Sequence, residues 1–544
     1  MVARVAIVAA LACVACGGTN AAPPPAGDAG IASDAAAAPD AAPDAPAGGA
    51  FGDKCTSGVQ CASGVCLPIG RCSKPCEGRS DCPPAPEWQC APTGGGRTYC
   101  ACTPSGPDVC DGRDNDCDTI VDGPNTTCPN TGNVCQSGQC VCPPQNQCSG
   151  ACVDTTSDRQ NCGACGTTCT AVCASSKCRN VVEACATDYL TCARTDDGTI
   201  HCWGDNMFGQ LGDGTTVAKL RPTANAAGPA DALFCGADMA CAKRGDGSVR
   251  CWGYPTIGNG TIGAAVAPTE VAALAGARIL AVGNGHACFV RMDGKLACWG
   301  ANPNMELGVT SSDSCQAGPS SFDCSFSPLV VPGVIDVAGI AIGSTHTCVR
   351  HTNGDVECWG AAAGGALGDG STTSRGPTGV AVARGTRQVV AGSGATCVLM
   401  NDGTVRCWGS DGFGLLGAGG YSGNCGAHCS DFSVVIGGLT GVVELAMTGA
   451  VVCARMNDAT MKCWGEDTRG QIGVDPTVSC PFGACVPTPT VVPRVAGVTA
   501  MAVGGRSTFA VLADGTMLGW GSDLYGALGD GMMMDRTMPA SVRW

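Results

Sequence analysis

The sequence predicts an all-β protein, a seven-bladed β-propeller preceded by a small disulfide-rich region. Three observations carry that expectation. The dipeptide Trp-Gly recurs seven times after residue 181. In six of those repeats it follows two cysteines spaced ten residues apart. Between the cysteines lies an Asp-Gly turn or a close relative of one.

The Trp-Gly pairs begin at Trp203, Trp252, Trp299, Trp359, Trp408, Trp464 and Trp520, at intervals of 49, 47, 60, 49, 56 and 56 residues. Such a period suits one four-stranded blade per repeat. The cysteine pairs are Cys192 with Cys202, Cys241 with Cys251, Cys288 with Cys298, Cys348 with Cys358, Cys397 with Cys407 and Cys453 with Cys463. The seventh repeat holds Phe509 and Gly519 in their places. The turns are Asp197-Gly198, Asp246-Gly247, Asp293-Gly294, Asn353-Gly354, Asp402-Gly403, Asp458-Ala459 and Asp514-Gly515. A three-residue hairpin loop ending in a left-handed glycine sets Cys192 opposite Cys202 at a non-hydrogen-bonded pair, where side chains approach most closely. A disulfide fits there, so six hairpin bridges are expected. Ala459 must adopt positive φ without being glycine, which strains its turn.

Composition agrees with many short strands and tight turns: 82 glycines, 4% aromatic residues and 44% hydrophobic residues in 544. The net charge of −15 argues against nucleic acid and against a basic membrane-binding face. The 44 cysteines outnumber the five histidines, none of which precedes His201. That imbalance favours disulfides in an oxidising compartment over metal clusters.

Four regions follow in order. Residues 1–16 read as a signal peptide: Arg4, a short apolar run from Val5 to Val14, then Cys13-Val14-Ala15-Cys16. The end of that run resembles a bacterial lipoprotein signal lipidated at Cys16, with export to the outer membrane or cell surface; an ordinary secretory signal is the alternative. Lipidation at Cys16 and loss of Cys13 leave an even 42 cysteines. Residues 17–50 are nearly all Ala, Pro, Asp and Gly, a flexible tether reaching roughly 30 Å. Residues 51–180 hold 22 cysteines and little else that could form a core, so small disulfide modules are expected. Cys162-x-x-Cys165 is assigned to disulfides and not to zinc, because no histidine is near. Residues 181–544 form the propeller.

The string Cys202-Trp203-Gly204-Asp205-Asn206-Met207-Phe208-Gly209-Gln210-Leu211-Gly212-Asp213-Gly214 resembles the repeat of the regulator of chromosome condensation family, with echoes at Gly365–Gly370 and Gly526–Gly531. The resemblance implies the propeller fold and a binding function. It implies nucleotide exchange on a nuclear GTPase only for the founding member, a partner that an acidic exported protein does not meet. Bacterial propellers of this class bind other proteins. Because the family usually closes its ring by exchanging terminal strands, Met538–Val542 is expected to complete the first blade.

Two places could carry chemistry. Residues 108–123 resemble a copper-linked surface-protein motif and bring Asp111, Asp114, Asp116, Asp118 and Asp122 into twelve positions. Alternating carboxylates suit Ca²⁺. Copper would want His, Met or thiolate, so it ranks behind calcium; a solvated loop without metal is the third reading. Repeats 3, 5 and 6 carry insertions after the same Leu/Ile-Gly turn. Each has its own cysteine pair: Cys315 with Cys324, Cys425 with Cys429, and Cys480 with Cys485. Rotational symmetry sends all three to one face. They hold Phe322, Phe326, Tyr421, Phe432 and Phe482, which makes that face a candidate surface for a protein or surface ligand; neutral drift in loop length is the alternative. No nucleophile elbow, phosphate loop or zinc-protease motif is present, so no catalytic residue and no organic cofactor are assigned; a lyase or hydrolase site in the central channel is the enzyme alternative. The expectation is a monomeric surface lipoprotein that recognises a partner, with metal handling or a passive envelope role as alternatives.

Overall fold

A computed structural model describes residues 151–544 except 175, 318–319, 372, 418–421, 424 and 475–477. Upstream it describes residues 74–76, 82, 88–92, 98–102, 110, 128, 134–136 and 139–148. Two compact units are present, and the larger comprises residues 178–544 together with 169–172.

The larger unit is a seven-bladed β-propeller. In the first blade the strands Val181–Ala186, Leu190–Thr195, Ile200–Gly204 and Lys219–Ala224 pair in sequence order, all antiparallel, from the innermost to the outermost. The remaining blades span residues 232–270, 279–330, 337–383, 386–435, 442–491 and 498–541. In the fourth, isolated bridges Gly360–Arg375 and Val356–Ala383 stand where the others have an outer strand.

The hairpin at the centre of each blade follows from its turn. Arg194 pairs with Ile200, Ala193 with His201 and Cys192 with Cys202, and Gly198 N–H donates to Thr195 O at 2.9 Å. The cysteines therefore face each other across the hairpin. The same register sets Cys241 opposite Cys251, Cys288 opposite Cys298, Cys348 opposite Cys358, Cys397 opposite Cys407 and Cys453 opposite Cys463. All six hairpin pairs are disulfide-bonded, with Cα atoms 4.0–4.1 Å apart. Ala459 stands at φ 60°. A further bridge, Cys185–Cys235, joins the inner strands of the first and second blades.

The core lies between blades. Each Trp of the Trp-Gly pair is fully buried, and its indole N–H donates to a turn carbonyl of the preceding blade. Trp252 bonds Gln210 O at 2.9 Å, Trp359 bonds Glu306 O at 3.0 Å and Trp464 bonds Leu415 O at 2.9 Å. A buried indole needs such an acceptor, which is why Trp and the turn recur together.

Ring closure corrects the strand-exchange expectation. Residues Arg536–Ser541 pair with Met517–Gly521 and complete the seventh blade, not the first. The first blade already owns an outer strand, Lys219–Ala224, so no gap awaits the C-terminus. Closure comes from packing instead. Trp203 donates to Ala527 O at 2.8 Å, Val181 N–H to Gly515 O at 3.1 Å, and the terminal Trp544 ring stands edge-on to Trp203 at 5.8 Å.

The smaller unit holds short hairpins stapled by disulfides, among them Cys76–Cys90, Cys82–Cys100, Cys142–Cys152 and Cys148–Cys165. Cys162 pairs with Cys173, so each member of the Cys162-x-x-Cys165 motif is oxidised to a different partner.

Candidate functional site: the loop face of the propeller

The glycine after each Trp decides which loops share a face. Gly204 has φ 103°, and a Cβ on it would stand 2.1 Å from Tyr189 O. No other residue fits that approach. The chain leaves the strand there, and Asp205 N–H bonds Tyr189 O at 2.9 Å. Tyr254 with Asp238, Ala301 with Gly285 and Ser522 with Arg506 repeat the bond. The loops between the first two strands of each blade and the turns after Trp-Gly thus lie on one face. The Asp-Gly hairpins lie on the other.

In five of the seven blades a buried Asn or Asp braces this turn by accepting the N–H five residues on; Pro255 and Ala362 stand at its place in blades two and four. Leu211 donates to Asn206 at 3.0 Å, Leu307 to Asn302 at 2.8 Å, Leu416 to Asp411 at 2.7 Å and Leu528 to Asp523 at 2.8 Å. Burial pushes the Asp523 carboxyl up to about 6.

The three insertions are disulfide-bonded at Cys315–Cys324, Cys425–Cys429 and Cys480–Cys485. Each seats on the turn of the blade before it. Phe326 O accepts Gly260 N–H at 3.0 Å, Asp431 O accepts Gly370 N–H at 3.2 Å, and Phe482 N–H donates to Gly412 O at 3.2 Å. Phe322 lies opposite Cys315 in its hairpin and, like Phe326, is half-buried. Phe432 is 57% exposed and Phe482 62% exposed; the Phe482 ring packs edge-on to Phe413 at 5.8 Å. These phenylalanines belong to three different seams, so the fold spreads them around the rim instead of gathering them. Tyr421 lies outside the described residues, as do Cys16 and the aspartates Asp111, Asp114, Asp116, Asp118 and Asp122.

A denser cluster forms where blades seven, one and two meet, and sequence reasoning missed it. The rings of Tyr189 and Tyr525 meet edge-on at 5.8 Å, Phe208 stacks on Tyr254 at 4.9 Å, and the Arg506 guanidinium sits 5.3 Å from the Tyr189 centroid. Burial, together with the neighbouring Asp205 and Asp188 charges, raises the Asp238 carboxyl to about 6. In the same turns of blades one and seven, Met207, Leu524 and Met532–Met534 are exposed. The signal was available in register: Phe208, Phe413 and Tyr525 occupy the same place in their turns, two residues after the bracing Asn or Asp.

His286 and His346 are structural. His286 Nε2 meets Thr347 Oγ1 at 2.7 Å, and Thr347 donates onward to Glu306 O at 2.8 Å. His346 and Thr396 repeat this one blade further on, with Thr396 donating to Ala366 O. Because each threonine spends its proton on the carbonyl, the imidazole must donate from Nε2. Burial holds His286 down to about 3 and His346 to about 4, so both rings are neutral.

Fold and face together define a disulfide-clamped propeller with one elaborated loop face. Residues 181–210 and 387–415 match one model of the regulator of chromosome condensation (RCC1) repeat, and residues 197–242 match a second. The chain carries repeats of that kind. It is 28% identical over 358 residues to the ultraviolet-B receptor UVR8 of Arabidopsis thaliana, covering 63% of this chain and 78% of the receptor. Among solved structures it resembles Prp20p of Saccharomyces cerevisiae, described with its binding to Gsp1p and histones, at TM-score 0.54 and 20% identity over 67% of this chain and 87% of that one. Human WBSCR16 is similar at TM-score 0.53 and 17% identity, over 64% and 94% of the two chains.

Proposed function

We propose that this chain is an exported recognition protein whose propeller presents its loop face to a partner protein. The observation that carries this reading is the placement of the insertions. Three disulfide-clamped loops, in blades three, five and six, all emerge on the face built by the Trp-Gly turns, with Phe432 and Phe482 more than half exposed. Rigid loops holding exposed aromatics lose little entropy on binding. The binding of Gsp1p and histones by Prp20p is in keeping with such a use of the fold. The many disulfides fit an oxidising, extracytoplasmic setting, and lipidation at Cys16 would hold the protein at an envelope surface. Calcium binding by Asp111–Asp122 is the subsidiary proposal, resting on the carboxylate spacing alone.

The test is capture from envelope and secreted fractions with the oxidised full chain as bait, beside Phe432→Ala/Phe482→Ala. Loss of a specific partner in the double variant supports the loop face. A partner retained undiminished by the variant removes the insertions from the function.

A further inference from the structure

The chain contains three Asn-Gly pairs, Asn259-Gly260, Asn284-Gly285 and Asn353-Gly354, and the fold treats them differently. In an Asn-Gly pair the backbone nitrogen of the glycine can reach the asparagine amide carbon, because glycine has no Cβ to obstruct the approach. All three asparagines are exposed, so access does not separate them. What separates them is whether that nitrogen and that amide are already held.

Two pairs are held. Gly260 N–H donates to Phe326 O at 3.0 Å, while Asn259 Oδ1 accepts Thr261 N–H at 3.2 Å and the Thr261 hydroxyl at 2.8 Å. Gly354 N–H donates to His351 O at 3.0 Å, and Asn353 Oδ1 accepts Asp355 N–H at 2.9 Å. Both glycines stand at φ 85°, where the turn itself calls for glycine.

Asn284-Gly285 is different. It forms the bend between the inner strand Ile279–Val282 and the next strand, His286–Val290. Among the described residues none bonds the Asn284 amide and none accepts the Gly285 N–H. The bend is anchored only at its ends, by Gly283 N–H on His286 O at 3.0 Å and Ala301 N–H on Gly285 O at 2.8 Å. Gly285 lies outside the left-handed region, and a Cβ there would meet only Ala301 Cβ, at 3.6 Å. Sister blades place Tyr189, Asp238, Thr345 and Arg506 at the same position. The fold therefore does not need glycine here.

We propose that Asn284 is a site of self-modification, at which the Gly285 nitrogen attacks the side-chain amide and asparagine becomes aspartate or isoaspartate. The Gly285 N–H gives its proton to solvent hydroxide, and the nitrogen bonds Asn284 Cγ. The Cγ–Nδ2 bond breaks, and Nδ2 leaves as ammonia with a proton taken from water. Water then opens the succinimide at either carbonyl. One water is consumed and one ammonia released, with no change of oxidation state. The new carboxylate stands on the wall of a small cavity that Asn284 shares with Asp238, Tyr254 and His286. Blade one carries a carboxylate at the equivalent place, Asp188, so the position accepts the charge. The bend lies on the loop face, and the modification adds negative charge to that face.

The test incubates the oxidised full chain at mildly alkaline pH in water enriched in heavy oxygen, and follows peptide masses over time. Label is expected at Asn284 about tenfold faster than at Asn259 and Asn353, whose glycine nitrogens must first leave a hydrogen bond. Gly285→Ala, which the bend accommodates, should slow conversion of Asn284 severalfold without lowering the melting temperature. In the reduced, urea-unfolded chain the three pairs should convert at similar rates, because only the fold separates them. No label at Asn284, or conversion of Asn259 or Asn353 as fast as Asn284 in the folded chain, overturns the proposal. So does the same order of rates in the unfolded chain, or a rate at Asn284 that Gly285→Ala leaves unchanged.

Discussion

Trp203 of the first blade donates its indole N–H to the carbonyl of Ala527 in the seventh, 2.8 Å across the seam where the ring closes. Thr191 Oγ1 donates to the same oxygen at 3.0 Å. The bond repeats the one at every other seam, so the closing seam is built like the rest. Trp203→Phe should cost about 2 kcal/mol through a lost hydrogen bond and lost packing. Trp359→Phe, at an internal seam, should cost about the same, and urea unfolding midpoints check both. A much larger loss at Trp203 would show that closure depends on that seam alone.

Ala459 holds φ 60° in a turn where sister turns place a left-handed glycine, as at Gly403 with φ 84°. Ala459→Gly should stabilise the protein by about 1 kcal/mol, and Gly403→Ala should destabilise it by a similar amount. Paired denaturation curves give the sign of each.

Neutral His286 and His346 make the propeller acid-sensitive. Their folded values are about 3 and about 4, against about 6.5 in the unfolded chain. Below pH about 6.5 the unfolded state takes up protons that the folded state refuses. Stability is therefore full above that pH and falls as pH drops toward 4. The loss approaches on the order of 3 kcal/mol for each histidine. Melting temperature followed from pH 7 to 4 should drop steeply in the wild type and less in His286→Gln/His346→Gln, where glutamine can still donate to the threonines.

Disulfide reactivity should divide by exposure. The six hairpin bridges, from Cys192–Cys202 in the first blade to Cys453–Cys463 in the sixth, are fully buried. Cys185 and Cys235 are both partly exposed on inner strands. Thiolate attack needs access, so mild reductant at neutral pH should open Cys185–Cys235 before any hairpin pair. Alkylation with mass mapping over time reads the order. Simultaneous loss of all seven would mean that reduction proceeds through global unfolding.

Phe482 is mostly solvent-exposed and packs on Phe413. Phe482→Ala should change stability by under about 1 kcal/mol while weakening partner capture, a division that melting curves and binding measured on the same preparation would reveal.

Much of the fold was legible because its determinants are local. A turn ending in left-handed glycine fixes the register of a hairpin, and register fixes that Cys192 meets Cys202 and that Cys241 meets Cys251. Seven such hairpins at a near-constant period leave few architectures open. Cys185–Cys235 escaped notice because its partners are 50 residues apart on the inner strands of neighbouring blades, and no other blade repeats a cysteine there to reveal the pairing.

The candidate face was legible in part. Sequence symmetry sends the insertions of blades three, five and six to a common side, yet Phe326, Phe432 and Phe482 seat on three separate seams. Tyr189 and Tyr525 stand at opposite ends of the propeller sequence and meet only because the ring returns on itself. By itself the sequence determined the blades, their number and their hairpin staples, all consequences of backbone geometry within about 50 residues. Only the tertiary structure decided how the ring closes and which aromatics and carboxylates gather, because those contacts arise from the curvature that seven stacked blades accumulate.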